Sequence, residues 1–307
     1  MWQVVTGSSG FIGGHLVRAL LAGGHAVRAV DVRPSPSLDA LRDTYGDRLE
    51  MIRGDLVDAT VAEAAVDQAS VVYHLAAETN LAKSVAAPGN SLADDLLTTI
   101  RILEAARALG RKPRVVFASS ASVYGDSARS PLSECDVGCG ILTPYGIHKR
   151  AAELYCEMYA RLHGVSAACL RFFNVYGPWQ MNVQAAVPAF TLALLRGQEI
   201  TVNGDGSHAR DFVHVSDVVG ALMLIGSRDE TGEFNVGTGT ESSILDLIRS
   251  LESVAGETIR VTHGPAMEFD IQKSRADVSK IARLGWEPKT CLRDGLVDTV
   301  EFYRGLA

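Results

Sequence analysis

The sequence has little of what would tie a chain to an oxidising compartment, a membrane or a nucleic acid. Five cysteines (Cys135, Cys139, Cys156, Cys169 and Cys291) in 307 residues are an odd number and too sparse for a disulfide scaffold. Cys135 and Cys139 have no second Cys or His pair at zinc spacing beside them, so no metal is expected. No apolar run approaches the roughly 20 residues that a membrane-spanning helix takes. The opening stretch MWQVVTG carries no basic region or cleavage site, which is not the pattern of a signal peptide. Basic residues number 29 against 36 acidic ones, a net charge of -7 that argues against a nucleic-acid-binding surface. There is no internal repeat and no low-complexity tract. These absences lead to the expectation of a cytoplasmic protein with reduced thiols and with neither nucleic acid nor membrane as partner. With 47% apolar and 21% charged residues, the chain can bury a substantial core.

What is present is an alternation of short β-branched runs with amphipathic stretches. Residues 2–5, 26–30, 50–53, 70–74 and 114–118 read as strands bounded by Gly, Asp or polar residues. Residues 15–22, 37–45, 60–67 and 93–108 carry helical periodicity between them. Such alternation implies an α/β fold, a doubly wound parallel sheet with helices on both faces. Thr143 and Pro144 suit the N-cap and first turn of a long helix reaching about residue 162, and 165–172 reads as another strand. Beyond 175 the pattern loosens. Helices are expected over 188–196, 244–255 and 292–304, and strands over 200–202 and 258–263. Segments 209–215 and 232–236 read as strands that return to the main sheet. The expected organisation is therefore a nucleotide-binding domain over 1–174, with return segments from about 209–238, and a smaller interleaved lobe over 175–307.

The first strand runs into Gly7-Ser8-Ser9-Gly10-Phe11-Ile12-Gly13, and the first helix comes directly after it. Glycines there permit a tight turn, close backbone approach to a pyrophosphate and close helix–strand packing, with the helix N-terminus facing the anion. Asp31 closes the second strand, where an acid accepts from a ribose 2′-hydroxyl and repels a 2′-phosphate, favouring NAD over NADP. Arg33 pulls the other way, although a solvated surface arginine is its simpler reading. Asp55, beside Leu56, suits either the adenine amino group or a helix N-cap.

Ser120 stands at the carboxyl end of a parallel strand, where open α/β sheets carry their chemistry. Tyr145 and Lys149 come next at i and i+4, on one face of the long helix. An ammonium beside a phenol favours phenolate, which can take a proton from a hydroxyl that Ser120 aligns.

Taken together, TGSSGFIGGHL, HLAAETN, SSASVYGD, TPYGIHK, RFFNVYGP, GDGSHARDFVHVSD, FNVGTG and SRADVSKIARLGWEP make the chain similar, over nearly its whole length, to the NAD-dependent epimerase/dehydratase family. These are extended short-chain dehydrogenases with a Rossmann domain. The resemblance implies a catalytic set of Ser120, Tyr145 and Lys149, with Lys149 also holding the nicotinamide ribose. It implies NAD contacts at Gly7, Gly10, Phe11, Ile12, Gly13, Asp31, Arg33, Asp55, Leu56, Leu75, Ala76 and Ala77. Nucleotide-sugar contacts are implied at Thr79, Ser120, Ser122, Asn174, Val187, Arg210, Ser274 and Arg275. Arg210 suits a diphosphate because its planar fork binds phosphate oxygens bidentately, and its bland alternative is an ion pair with Asp211 or Asp217.

Family members oxidise C4 of a nucleotide sugar, and the fate of the resulting 4-keto sugar depends on further groups. Dehydratases carry Asp-Glu after the catalytic hydroxyl, and related decarboxylases carry Glu at the second position. Here Ala121 and Ser122 stand there, and neither can serve as acid or base near neutral pH. This favours 4-epimerisation of a UDP-hexose or UDP-N-acetylhexosamine. A hexosamine 5,6-dehydratase stays open as the alternative, with Glu78 or Cys139 as the extra acid or base. A non-catalytic NAD-binding regulator is the reading from another class. Met267-Glu268-Phe269-Asp270 replaces the family's Arg-Pro-Gly-Asp, leaving Lys273 or Arg275 to substitute for the arginine. His148, inside the Tyr145–Lys149 turn, reads as a partly exposed helix histidine. By alignment, a small residue at Ser274 leaves room for an N-acetyl group, pointing to UDP-N-acetylglucosamine. In relatives the helices matching 93–108 and 144–162 pair into a four-helix bundle, so a homodimer is expected.

Overall fold

The strands of the large sheet are short apolar runs that end in a Gly, Asp or Ser turn. The computed structural model describes residues 1–138, 140–266 and 271–306. Seven strands lie in the order Gly232–Val236, Ala167–Phe172, Arg114–Ser120, Ala69–His74, Trp2–Thr6, Val27–Asp31 and Leu49–Arg53. Trp2–Thr6 pairs in parallel with both Val27–Asp31 and Ala69–His74, and the parallel ladder continues outward to Leu49–Arg53 and to Arg114–Ser120. The chain therefore winds first to one edge and then, from Ala69–His74 onward, to the other. The reversal falls between Trp2–Thr6 and Ala69–His74, the switch point at which open α/β sheets bind ligands. Val4, Val5, Val115, Val116 and Phe117 are fully buried, as strands covered on both faces require.

By internal packing the chain divides into two units. One comprises Met1–Val123, Thr143–Arg171 and Val219–Phe234, and the other Tyr124–Leu142, Phe172–Val218 and Asn235–Ala307. In the first, Ile102, Leu103, Ala106, Phe117 and Ala152 belong to one apolar cluster. The long helix Pro144–His163 starts on a Thr143 side chain that accepts the Gly146 amide, and stops at Gly164 in the left-handed conformation.

In the second unit Ile244, Leu247, Ile248 and Leu251 form the buried stripe of the helix Ile244–Ala255, spaced at i, i+3, i+4 and i+7. They pack with Leu194, Ile200, Val202, Leu296 and Val300. Three small sheets complete it. Phe212–His214 pairs with Asn174–Tyr176, Arg260–Gly264 with Glu199–Asn203, and Ala209–Arg210 lies between Ser242–Ser243 and Lys273–Ser274.

Several elements depart from the sequence reading. Of the two segments expected to return to the main sheet, Gly232–Val236 does so, but 209–215 does not. Asp211 interrupts that stretch, and its two halves pair with different partners. The helix Val215–Gly226 is missing from the sequence reading because VVGALML is apolar at almost every position and shows no stripe. Residues 37–45 form two separate helical turns, Pro36–Asp39 and Arg42–Tyr45. The expected helix over 93–108 begins as a π-helix over Ala93–Leu97 and turns α-helical only over Thr98–Ala108. No described helix is long and apolar enough to cross a membrane.

Candidate functional site

The glycine turn closes tightly around its own backbone. Gly7 has φ +65°, and a Cβ there would meet the Ala76 nitrogen at 2.8 Å and the Leu75 carbonyl at 2.9 Å. A Cβ on Gly13 would lie 2.2 Å from the Gly7 oxygen. Only hydrogen at both positions lets the turn, the helix Phe11–Ala22 and the segment Leu75-Ala76-Ala77 come together. Gly10 is the N-cap, and Phe11, Ile12 and Gly13 make the first helical turn. Asp31 ends its strand with both carboxylate oxygens engaged, Oδ2 accepting the Ser9 amide and Oδ1 the Arg33 amide, each at 2.9 Å. That fixes the carboxylate beside the turn with lone pairs to spare for ribose hydroxyls. The Arg33 side chain is 73% exposed and its guanidinium is 3.8 Å from Asp31.

Asp55 is exposed and accepts the Val57 amide at 3.0 Å. It is not the helix N-cap, a role Asp58 fills by accepting the Thr60 amide at 2.8 Å. The Leu56 side chain is buried in the core, leaving its backbone as the available contact. A cradle of unobstructed glycines, a helix N-terminus and an oriented acid at the switch point fits an adenine dinucleotide.

The sequence reading missed what holds this cradle together. Thr6 Oγ1 accepts the Leu75 and Ala76 amides at 3.1 Å each, so its proton goes to His74 Nδ1 at 2.8 Å. His74 Nε2 then carries the proton donated to Thr99 Oγ1 at 3.2 Å, and Thr99 donates to the Asp95 carbonyl at 2.8 Å. Burial, then the Lys149 charge, pushes His74 down to about 3, so the ring stays neutral.

Ser120, Tyr145 and Lys149 come together in the first unit. Ser120 closes its strand, and its side chain acts on the Tyr145 phenol to draw its pKa down. The Lys149 ammonium donates to the Ala118 carbonyl at 2.9 Å and lies 4.7 Å over the Phe117 ring and 5.6 Å from the Tyr145 ring centroid. The electrostatics correct a sequence expectation. Burial and then the Asp95 charge push Tyr145 well above the ordinary tyrosine range, and the force acting downward is the Ser120 hydrogen bond. Burial likewise pushes Lys149 down, against the charges of Asp95 and Glu153. Ser122 lies beside the set; its amide donates to Ser120 Oγ at 3.2 Å, and its own buried hydroxyl has no partner among the described residues.

His148 is not the partly exposed helix residue expected. It is buried, with Nδ1 3.2 Å from Ser91 Oγ and 3.8 Å from Asp95 Oδ2. Asp95 was not singled out from the sequence, although the pair Asp94-Asp95 inside an otherwise apolar stretch was its available signal. Glu78 faces the Lys83 ammonium and accepts the Asn80 amide at 3.1 Å. Burial works to raise its carboxyl, but Lys83, the Asn80 amide and Arg33 outweigh it and leave it below the usual range. A general acid near neutral pH needs the opposite shift. Thr79 beside it is exposed, and Cys139 lies outside the described residues.

The remaining predicted contacts lie in the second unit. Ser274 is buried and pairs in register with Arg210, whose Nη1 donates to the carbonyls of Ala209 and Ile271. The acids considered for Arg210 are satisfied by other donors. Asp211 accepts from the Thr238 amide and hydroxyl at 2.7 Å, Gly239 at 2.9 Å and Ala276 at 3.1 Å, and Asp217 accepts the Lys289 and Thr290 amides at 3.0 Å. Asn174 is exposed, whereas the Val187 side chain belongs to the unit's apolar core. Of the two candidate replacement cations, Lys273 is exposed and faces Glu241 at 3.8 Å, while Arg275 keeps a buried Nε with no partner among the described residues. The 267–270 segment lies outside the described residues.

The chain is 36% identical over 310 residues to the UDP-glucose 4-epimerase of Mycolicibacterium smegmatis, covering 99% of each. It is 32% identical to UDP-glucuronic acid decarboxylase 1 of Xenopus tropicalis, covering 98% of this chain and 72% of that one. The crystal structure of UDP-glucose 4-epimerase with UDP-glucose from Thermotoga maritima superposes with a TM-score of 0.92 at 33% identity, covering 100% of this chain and 99% of that one. Residues 3–237 match the model of the NAD dependent epimerase/dehydratase family, and the chain belongs to that family.

Proposed function

We propose that this protein inverts C4 of a UDP-hexose through transient oxidation of that carbon, with UDP-N-acetylglucosamine its preferred substrate. The observation that carries the reading is that Ser120 at its strand end and the buried Tyr145 and Lys149 are gathered in one unit, with Ala121 and Ser122 next in the chain where an acid–base pair would be needed for another outcome. Bound NAD supplies the electron-pair acceptor and donor for C4 and, oxidised, a positive charge that favours phenolate nearby. Ser120 aligns the C4 hydroxyl, and Tyr145 takes its proton and later returns it from the same atom. Lys149, anchored on the Ala118 carbonyl, supplies a fixed cation next to the phenol.

In the second unit Arg275, whose Nε has no partner among the described residues, and Arg210 supply positive charge for the diphosphate. The small Ser274 supports an N-acetyl group at C2. The dehydratase alternative draws no support from Glu78, a carboxylate already paired with Lys83. An intact Ser120, Tyr145 and Lys149 set weighs against a mere NAD-binding regulator.

The protein acts in the cytoplasm as a homodimer in this reading. Described cysteines are free thiols, and Ile147, Leu154 and Leu162 form an exposed apolar line along Pro144–His163. Incubation with NAD and either UDP-N-acetylglucosamine or UDP-glucose, read by mass spectrometry and proton NMR, tests the substrate. Epimer formation at unchanged mass, faster with the N-acetylated sugar, is expected. Loss of one water with alkene signals would replace this reading with the dehydratase.

A further inference from the structure

Glu153 stands one turn after Lys149 and two after Tyr145 on Pro144–His163, so all three side chains share one helix face. Its carboxylate is fully buried and accepts from two neighbouring strands and from its own helix. Oε1 accepts the Ser119 hydroxyl at 2.7 Å and Arg171 Nε at 2.8 Å, and Oε2 accepts Arg171 Nη2 and Arg150 Nη1 at 2.9 Å each. Arg171 is itself buried on Ala167–Phe172, the strand beside Arg114–Ser120. A buried ion pair of this kind adds little stability over apolar packing of the same shape, but its forked geometry fixes position. The position fixed is that of Ser119, a buried residue whose one hydroxyl proton is spent on Glu153. Ser120 follows directly, its Cα about 3.8 Å from that of Ser119. On the other side of Ser119, the Ala118 carbonyl accepts the Lys149 ammonium at 2.9 Å.

We infer that Glu153 is a positioning residue for the reaction proposed above, its bond to Ser119 holding the strand end, and with it Ser120, against the helix face that presents Tyr145 and Lys149. One anchor would leave a freedom. The Lys149–Ala118 bond alone fixes a single point of the strand and lets its end pivot about that carbonyl. The Ser119–Glu153 bond supplies a second point one residue on, from the next turn of the same helix. Phe117, with the Lys149 ammonium 4.7 Å over its ring, and Ser119 are two apart and share one face of the strand. Both anchors therefore act from the side on which the helix packs. Arg171 carries the constraint into the next strand, and Arg150 extends it to Glu233 on the edge strand at 3.9 Å. Alignment governs rate here, since a misplacement of about 1 Å can cost about a hundred-fold.

Ser119→Ala removes this tether alone, because Arg171 and Arg150 still answer both Glu153 oxygens. Two readouts separate positioning from a structural role. In steady-state turnover of the UDP-sugar with NAD, kcat should fall about ten- to a hundred-fold while KM stays near wild type. Hydrogen exchange followed by mass spectrometry needs no turnover. It should quicken in the peptide that contains Ser120 and stay unchanged in the one that contains Trp2–Thr6. Ser119→Cys keeps the bulk with a weaker donor, so its kcat should fall between the two, and it serves where Ser119→Ala does not fold. An unchanged kcat would overturn the inference, whatever the loss of stability. Absence of turnover in the wild type would overturn the proposed function instead. The exchange pattern alone would then decide the role of Glu153, with unchanged exchange at Ser120 counting against it.

Discussion

The Lys149 ammonium donates to the carbonyl of Ala118 at 2.9 Å, which pins a buried cation to the strand that ends in Ser120. Because it also lies over the Tyr145 ring, helix and strand are held in one geometry by one side chain. Tyr145→Phe removes the proton carrier and leaves this anchor. Turnover should fall by about a hundred- to ten-thousand-fold, the range for losing a general acid–base group, with NAD affinity measured by calorimetry little changed. Lys149→Met should lower both turnover and NAD affinity.

Gly13 tests the cradle. A Cβ there would sit 2.2 Å from the Gly7 oxygen, a backbone atom that cannot swing aside. Gly13→Ala should therefore cost about 1–3 kcal/mol, at the upper end for overpacking, and also weaken NAD binding. Denaturant melts and calorimetry check the two effects separately. An alanine variant with wild-type stability and affinity would mean the turn is looser than described.

Much of this cradle was legible in the sequence, because a glycine turn after a strand and an acid at the end of the next strand are local signals. The Ser120, Tyr145 and Lys149 set was legible for the same reason, since residue spacing places Tyr145 and Lys149 on one helix face. What the sequence did not reveal depends on contacts between distant segments. Thr6, His74 and Thr99 look like ordinary residues until the sheet brings them together. His148 looks like a surface residue until the π-turn carries Asp95 and Ser91 against it. Helix Val215–Gly226 was missed because burial nearly all round leaves no polar face to mark the period.

His74 gives the fold a specific pH dependence. Its pKa is pushed down to about 3 by burial and then by the Lys149 charge. The unfolded chain binds this proton at about 6.5, so neutral His74 contributes stability that is present above that pH and lost as pH falls toward the folded value. Thermal melts of the wild type should lose stability through that window more steeply than melts of His74→Gln. Parallel losses would mean that His74 is already charged in the folded protein.

The exposed line along Pro144–His163 carries the prediction about assembly. Ile147 is 53%, Leu154 49% and Leu162 63% exposed, an unusual apolar load for one helix face. Leu154→Glu, read by light scattering at micromolar concentration, should convert a dimer to a monomer without changing the fold. A wild type already monomeric there would refute the expected homodimer.

The central claim is that C4 of the sugar gives up its hydrogen and takes it back within a single bound cycle. UDP-N-acetylglucosamine deuterated at C4, incubated with the protein and NAD in ordinary water, puts that claim to the most direct test. The account predicts an epimer with inverted C4 that keeps its deuterium at that carbon. Epimer carrying hydrogen from water at C4, or no inversion with any UDP-hexose, would contradict it.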